Sequence, residues 1–154
     1  MSINALIQKY TLAPHPEGGY FKEIYRSNLS GKSPVTSSLR HWATHIYFLL
    51  TQGQVSRFHR VAHDELWHFY QGDPLNLFLY DGSQVKPMTL GPGQNYMALV
   101  PRNVWQASET KGNYSFVGCK VAPGFDFADF SFLKDSDQDL TKFNKTQTQF
   151  KKFI

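Results

Sequence analysis

Two periodicities divide the chain. Over the first ten residues Ile3, Leu6, Ile7 and Tyr10 recur at helical spacing, behind Ser2, whose side chain suits an N-cap. A short N-terminal helix is predicted there. HPEGGY, with Pro16, Gly18 and Gly19, breaks the pattern with turn residues. From Tyr20 the texture becomes that of strands: YFKEIYR, THIYFLL, VSRFH, ELWHFYQ, LNLFLY, QVKPMTL, YMALV, WQASE and YSFVGCKVA. Several alternate polar with apolar residues, as a strand with one inward face requires. SNLSGKSP reads as loop, and TQGQ, QGDP, DGSQ, LGPGQ, PRN, KGN and APG read as turns. Short strands punctuated this regularly predict an all-β sandwich or barrel. Beyond them Leu140 and Phe143, then Phe150 and Phe153, return to helical spacing. They predict a helical C-terminal tail packed on the outside of the barrel. Nothing marks a second domain, so one domain is expected over 1–154, with the barrel at roughly 20–132 and the tail at roughly 134–154.

Composition sharpens this picture. A chain of 154 residues buries roughly two-thirds of its unfolded surface. Thirteen Phe, eight Tyr and three Trp against 18% charged residues favour a packed core or an aromatic-lined cavity over disorder. The single cysteine, Cys119, excludes an intramolecular disulfide and reads as a buried thiol in a strand. MSINALIQKY lacks the basic start and apolar run of a signal peptide, and no segment approaches ~18 consecutive apolar residues. A cytoplasmic protein with no membrane partner is therefore expected. The net charge of +4 equals the tail lysines Lys142, Lys145, Lys151 and Lys152. No arginine-rich stripe accompanies them, and no nucleic-acid partner is expected.

The densest chemistry lies in HRVAHDELWHFYQGDPL, residues 59–75. Strand alternation puts His59 on the same face as position 61, with Arg57 sharing that face, and groups Glu65, Trp67 and Phe69 after the turn. His68 falls on the opposite face, and Arg60 and Trp105 are expected to point away from the interior.

Gly53, His59, Glu65 and Gly72 stand at the spacing G-x5-H-x-H-x3-E-x6-G, which resembles the first cupin motif, with Val61 in place of the second histidine. PRNVWQ resembles the second motif in part. Pro101 fits, while Asn95 and Asn103 replace glycines, Gln106 replaces the histidine ligand and Thr110 the final asparagine. HPEGGYFKEIYRS, THIYFLL, FHRVAHDELWHFYQGDPL, PRNVWQAS and GCKVAPGFDFADF, across residues 15–130, together resemble one cupin subgroup, domain of unknown function 985 or cupin superfamily 5. The resemblance implies a cupin-type double-stranded β-helix jelly roll, a homodimer, and a shape related to the RmlC-type sugar-nucleotide epimerases.

It also frames the candidate site. A metal-dependent cupin offers three histidines and a glutamate, of which His59 and Glu65 remain. A divalent metal would have only those two, His63 reaching round from the rim, and the weak ligand Gln106. No cofactor is expected. The pocket reading treats the same residues as polar hooks in an aromatic cavity that binds a small polar organic molecule. As an epimerase- or isomerase-like enzyme on a sugar or sugar nucleotide, His59 would remove a proton next to a carbonyl and Glu65 would orient it. Tyr47 or Tyr96 would return a proton from the other face. As a binding or sensing module, the barrel would hold its ligand unchanged. In either case Arg57, Trp67, Phe69, Gln106 and Tyr47 are expected to touch the ligand. Glu17 or Tyr20 is expected to reach a cavity mouth, that of the neighbouring subunit included.

Overall fold

The computed structural model describes every residue, 1–154. One helix, α1 (Ile3–Tyr10), precedes the strands, and Ser2 caps it by accepting the Ala5 N–H at 3.2 Å. The strands are β1 (Ala13–Pro14), β2 (Tyr20–Arg26), β3 (Ser30–Lys32), β4 (Leu39–His41), β5 (Thr44–Thr51), β6 (Val55–Arg60) and β7 (Asp64–Gly72). There follow β8 (Leu75–Tyr80), β9 (Val85–Leu90), β10 (Met97–Val100), β11 (Trp105–Thr110), β12 (Tyr114–Ala122) and β13 (Ser131–Phe132). The tail forms α2 (Asp137–Thr146) and a 3₁₀ turn, Thr148–Phe153.

Two antiparallel sheets face each other. One has the order β1-β2-β5-β12-β7-β10 and the other β13-β6-β11-β8-β9. Pro87 lies in β9, an edge strand where its missing N–H costs no ladder bond. SNLSGKSP, expected as loop, instead contributes β3 to a small hairpin with β4. The edge strands β1 and β13 are two residues long, too short to show a period.

Each sheet buries both of its faces over part of its area. Inside, Phe48, Leu50, Trp67, Phe69, Leu75, Leu77, Leu90 and Val117 fill one end of the barrel. Outside the six-stranded sheet, α1 lays Leu6 over Leu49 and Phe116. Outside the five-stranded sheet, the tail seats Phe143 and Phe153 on Phe58, Phe78, Tyr80 and Trp105. The apolar positions at helical spacing in both termini are thus the covers of the barrel's outer surfaces. The unfilled end of the barrel carries the site.

Candidate functional site

Strand β7 runs from open cavity into packed core. Its inward side chains are Glu65, then Trp67, then Phe69. Trp67 forms the floor: its indole N–H donates to Gln106 Oε1 at 2.8 Å, and Gln106 Nε2 donates to Glu65 Oε2 at 2.5 Å. The indole can only donate, so it fixes which end of the Gln106 amide faces the carboxylate. Phe69 lies below this floor, within the core, and does not line the cavity.

The cavity above Trp67 has a volume of about 480 Å³. Phe21, Ile46, Val61, Cys119 and Val121 form its apolar walls, and His15, Glu17, His59 and Glu65 its buried polar groups. Phe125, Phe127 and Phe130 from the FDFADF segment frame the mouth, with ring centroids 4.9 to 6.2 Å apart. Phe130 also stacks on His59 at 5.3 Å.

Glu17 reaches the cavity of its own chain. The HPEGG turn passes so close to β6 that a Cβ on Gly18 would sit 2.0 Å from the Val55 carbonyl oxygen, and Gly18 adopts a φ of +111°. Only glycine allows that approach. The Glu17 carbonyl accepts the Arg57 N–H at 2.9 Å. The turn is thereby pinned with the Glu17 carboxylate 2.8 Å from His59 Nε2. The other ring nitrogen, Nδ1, donates to the Arg57 carbonyl at 2.7 Å. A carbonyl at one nitrogen and a carboxylate at the other require both to carry hydrogen, so His59 is an imidazolium.

The electrostatics follow from these contacts. Burial disfavours charge on His59, but the facing Glu17 carboxylate, reinforced by Glu65, outweighs it and holds the pKa at about 9. Burial likewise opposes ionisation of Glu17, and His59 and His15 overcome it, leaving that carboxyl below its ordinary value. For Glu65 burial dominates. With the charge of Glu17 added, it prevails over His59 and the hydrogen bond from Gln106, and the pKa rises to about 7. Burial holds the His15 pKa below its ordinary value against the pull of Glu17, and its Nδ1 accepts the Glu17 N–H at 3.1 Å.

Several expected contacts fall elsewhere. Arg57 is exposed, because β6 carries a bulge: Gln106 pairs with His59 and Ser108 with Ser56, so three steps on β6 oppose two on β11. The extra residue turns Ser56 and His59 inward together and leaves Arg57 in solvent. Tyr47 lies on the outer face of its sheet, against Tyr10 and Phe116, while its neighbours Ile46 and Phe48 face in. Tyr20 packs on that same outer cluster, and Phe21 takes the inward place. Tyr96 is 59% exposed, so no tyrosine lines the cavity. The carboxylate touching His59 is Glu17 and not Glu65.

His63 is neither at the rim nor near His59's ring nitrogens. It is 2% exposed behind the cavity, where Ser33 Oγ meets its Nε2 at 2.7 Å and Asp129 lies 3.7 Å from its Nδ1. Asp129 is held by two nitrogens of Arg40, at 2.7 and 2.8 Å. This network anchors the FDFADF segment that forms the mouth. His15, Phe21, Thr44 and the three rim phenylalanines escaped the sequence reading, although HPEGG and FDFADF are conspicuous in composition.

The donor set does not suit a metal. Val61 is an apolar wall at the second-histidine position, Gln106 is consumed by Trp67 and Glu65, and both nitrogens of His59 are hydrogen-bonded. A metal would have to displace the Nε2 hydrogen and its contact with Glu17. No group of three or more His, Cys, Asp and Glu side chains converges as a cage.

Comparison with known proteins agrees with the fold. The family described as Cupin superfamily (DUF985) matches residues 4–133. An uncharacterized protein of Saccharomyces cerevisiae is 32% identical over 156 residues, covering 89% of this chain and 78% of the yeast protein. A crystal structure of a Shewanella oneidensis protein superposes with a TM-score of 0.86 at 30% identity, covering 99% of this chain and 97% of the other. A dTDP sugar isomerase of Desulfovibrio desulfuricans is similar in fold, with a TM-score of 0.53 at 16% identity over 79% of this chain and 85% of that one. With its two facing antiparallel sheets, its half-filled barrel and a family match across most of its length, the chain belongs to the DUF985 family of the cupin superfamily.

Proposed function

We propose that this protein binds a small polar organic molecule in the barrel and moves a proton on it, as an isomerase-like enzyme that needs no metal. One observation carries the reading: Glu65 is a buried carboxylate on the cavity wall with a pKa of about 7, beside an imidazolium. A group poised near neutrality is well matched to general acid and base work.

The roles differ from those expected of the sequence. His59 already holds its proton, so Glu65 is the base. It takes the proton from a carbon next to a carbonyl, the electron pair moves onto the carbonyl oxygen, and the positive field of His59 stabilises that developing charge. With no tyrosine on an opposite wall, Glu65 also delivers the proton to the neighbouring carbon, after its carboxyl hydrogen has exchanged with water at the open mouth, while the proton of the adjacent hydroxyl passes to the former carbonyl oxygen. Same-face isomerisation therefore fits better than epimerisation. The aromatic walls would take the flat, apolar face of a sugar, and the fold shared with a sugar isomerase is in keeping with that class. A cytoplasmic homodimer is part of the proposal, with the lone thiol Cys119 buried and unpaired.

The test is solvent deuterium exchange. Candidate aldoses and ketoses incubated with the protein in deuterated buffer should gain deuterium next to the carbonyl, and Glu65→Gln should slow this by roughly a hundredfold or more. Equal exchange by the variant would remove Glu65 from the role. Binding without exchange would leave the barrel as a ligand-holding or sensing module.

A further inference from the structure

Charge is divided unevenly between this protein and its cavity. The chain carries 16 Lys and Arg against 12 Asp and Glu. The cavity wall reverses that balance, with four carboxylates, Glu17, Glu23, Glu65 and Asp126, and one guanidinium, Arg26. Arg26 is already committed to Glu23, at 2.6 Å. Glu17 is matched by His59. Asp126 accepts the Ala128 N–H at 2.8 Å on the exposed rim, where water screens it.

Glu65 is left over. It is 7% exposed, and none of the ion pairs of the molecule includes it. Gln106 satisfies Oε2, and no protein donor reaches Oε1, on a side chain that lines the cavity. His59 Nε2 is turned to Glu17, so the open oxygen of Glu65 has no ion-pair partner of its own and is placed to meet a counter-charge. Around it stand Phe21, Trp67, Phe125, Phe127 and Phe130, rings whose faces attract cations.

We infer that the cavity takes an organic ammonium ion, a protonated or quaternary amine on a small polar body, with its nitrogen at Glu65 and against the aromatic wall. The inference rests on the reading that the barrel receives a small organic molecule, and it holds whether or not a proton is then moved. A phosphate or nucleotide diphosphate fits poorly, because Glu65 and Asp126 repel it and the one guanidinium is occupied. An ammonium group also acidifies the C–H beside it, so an amine next to the reacting carbon assists Glu65.

Matched probes separate charge from shape. Choline and 3,3-dimethylbutan-1-ol share a shape and differ in charge, and glucosamine, glucose and glucose 6-phosphate form a second set. Calorimetric titration of the full chain, above the Glu65 pKa, should show at least one ammonium probe binding roughly tenfold tighter than its neutral partner. Glu65→Gln, nearly equal in volume, should abolish that preference. Phe127→Ala, at a position 57% exposed and therefore harmless to folding, should weaken the ammonium probe several-fold with the melting temperature unchanged. The inference is overturned if the neutral or phosphorylated member binds as well as the ammonium, or if no ammonium probe binds. Glucose binding without an ammonium preference would sink this inference alone, leaving the small-molecule reading intact. Ammonium binding without deuterium exchange on any sugar would do the reverse to the proton-transfer reading.

Discussion

The pair Glu17 and His59 is the most consequential contact in the site, since each is charged only because the other is there. Glu17→Gln leaves an imidazolium buried without its partner. Breaking a buried pair in this way costs about 3 kcal/mol or more, which urea unfolding will read. In the same variant, the His59 pKa followed by NMR should fall from about 9 toward its ordinary 6.5. The wild-type protein should also respond to pH. His59 has a raised folded pKa, so its contribution is full below pH 6.5 and disappears as pH climbs through about 9. Glu65, raised from 4.5 to about 7, likewise favours the folded state less as it ionises between those values. Glu17 has a lowered pKa, and its contribution is lost as pH falls below 4.5. Melting temperature should therefore peak on the acid side of neutrality and decline toward pH 9. A flat profile from pH 6 to pH 9 would contradict these assignments.

At the scale of elements, two devices build the site. The HPEGG turn delivers Glu17, and the bulge in β6 delivers His59. Gly18→Ala would place a methyl 2.0 Å from the Val55 carbonyl oxygen and force a left-handed backbone on alanine. The turn must then lift away from β6. The expected result is loss of the high His59 pKa by NMR, with the far-ultraviolet spectrum of the sheets retained. Retention of the pKa would show that the close approach is dispensable. Strand positions themselves were legible: β2, β8 and β12 match YFKEIYR, LNLFLY and YSFVGCKVA residue for residue. The inward face of β7 was legible too, since Glu65, Trp67 and Phe69 follow unbroken alternation. Arg57 was misplaced for the complementary reason. A bulge inserts one residue into the period, and VSRFH contains no glycine to announce it. Tyr47 was ambiguous because β5 is apolar on both faces, one under the core and one under α1, and Tyr20 of β2 follows the outer face through its pairing with Leu49.

The whole molecule is a barrel with two covers and one open end. The tail contributes as much as a strand: Phe143, fully buried, touches both Phe58 and Tyr80. Phe143→Ala should cost about 3 to 5 kcal/mol in chemical denaturation. A loss below about 1 kcal/mol would mean that the tail docks loosely. A different surface remains apolar and open, where Tyr25, Tyr70, Met97 and Leu99 are all about half exposed on the outer side of the six-stranded sheet. The proposed homodimer should appear in light scattering at micromolar concentration as twice the mass of 17.7 kDa. A monomer mass would end that proposal.

The sequence by itself determined the class of fold, the helical stretches at its two ends, the outward packing of the tail and the strand that floors the site. All of these follow from local periodicity and turn chemistry, which need no knowledge of distant partners. Tertiary structure alone decided which groups meet. Glu17 and His59 are 42 residues apart in the chain, yet they meet through a glycine turn and a bulge. Whether His59 is a base, a metal ligand or a fixed positive charge depends on what stands at each ring nitrogen. That is a property of the packed molecule, and it is why the proposed proton transfer falls to Glu65.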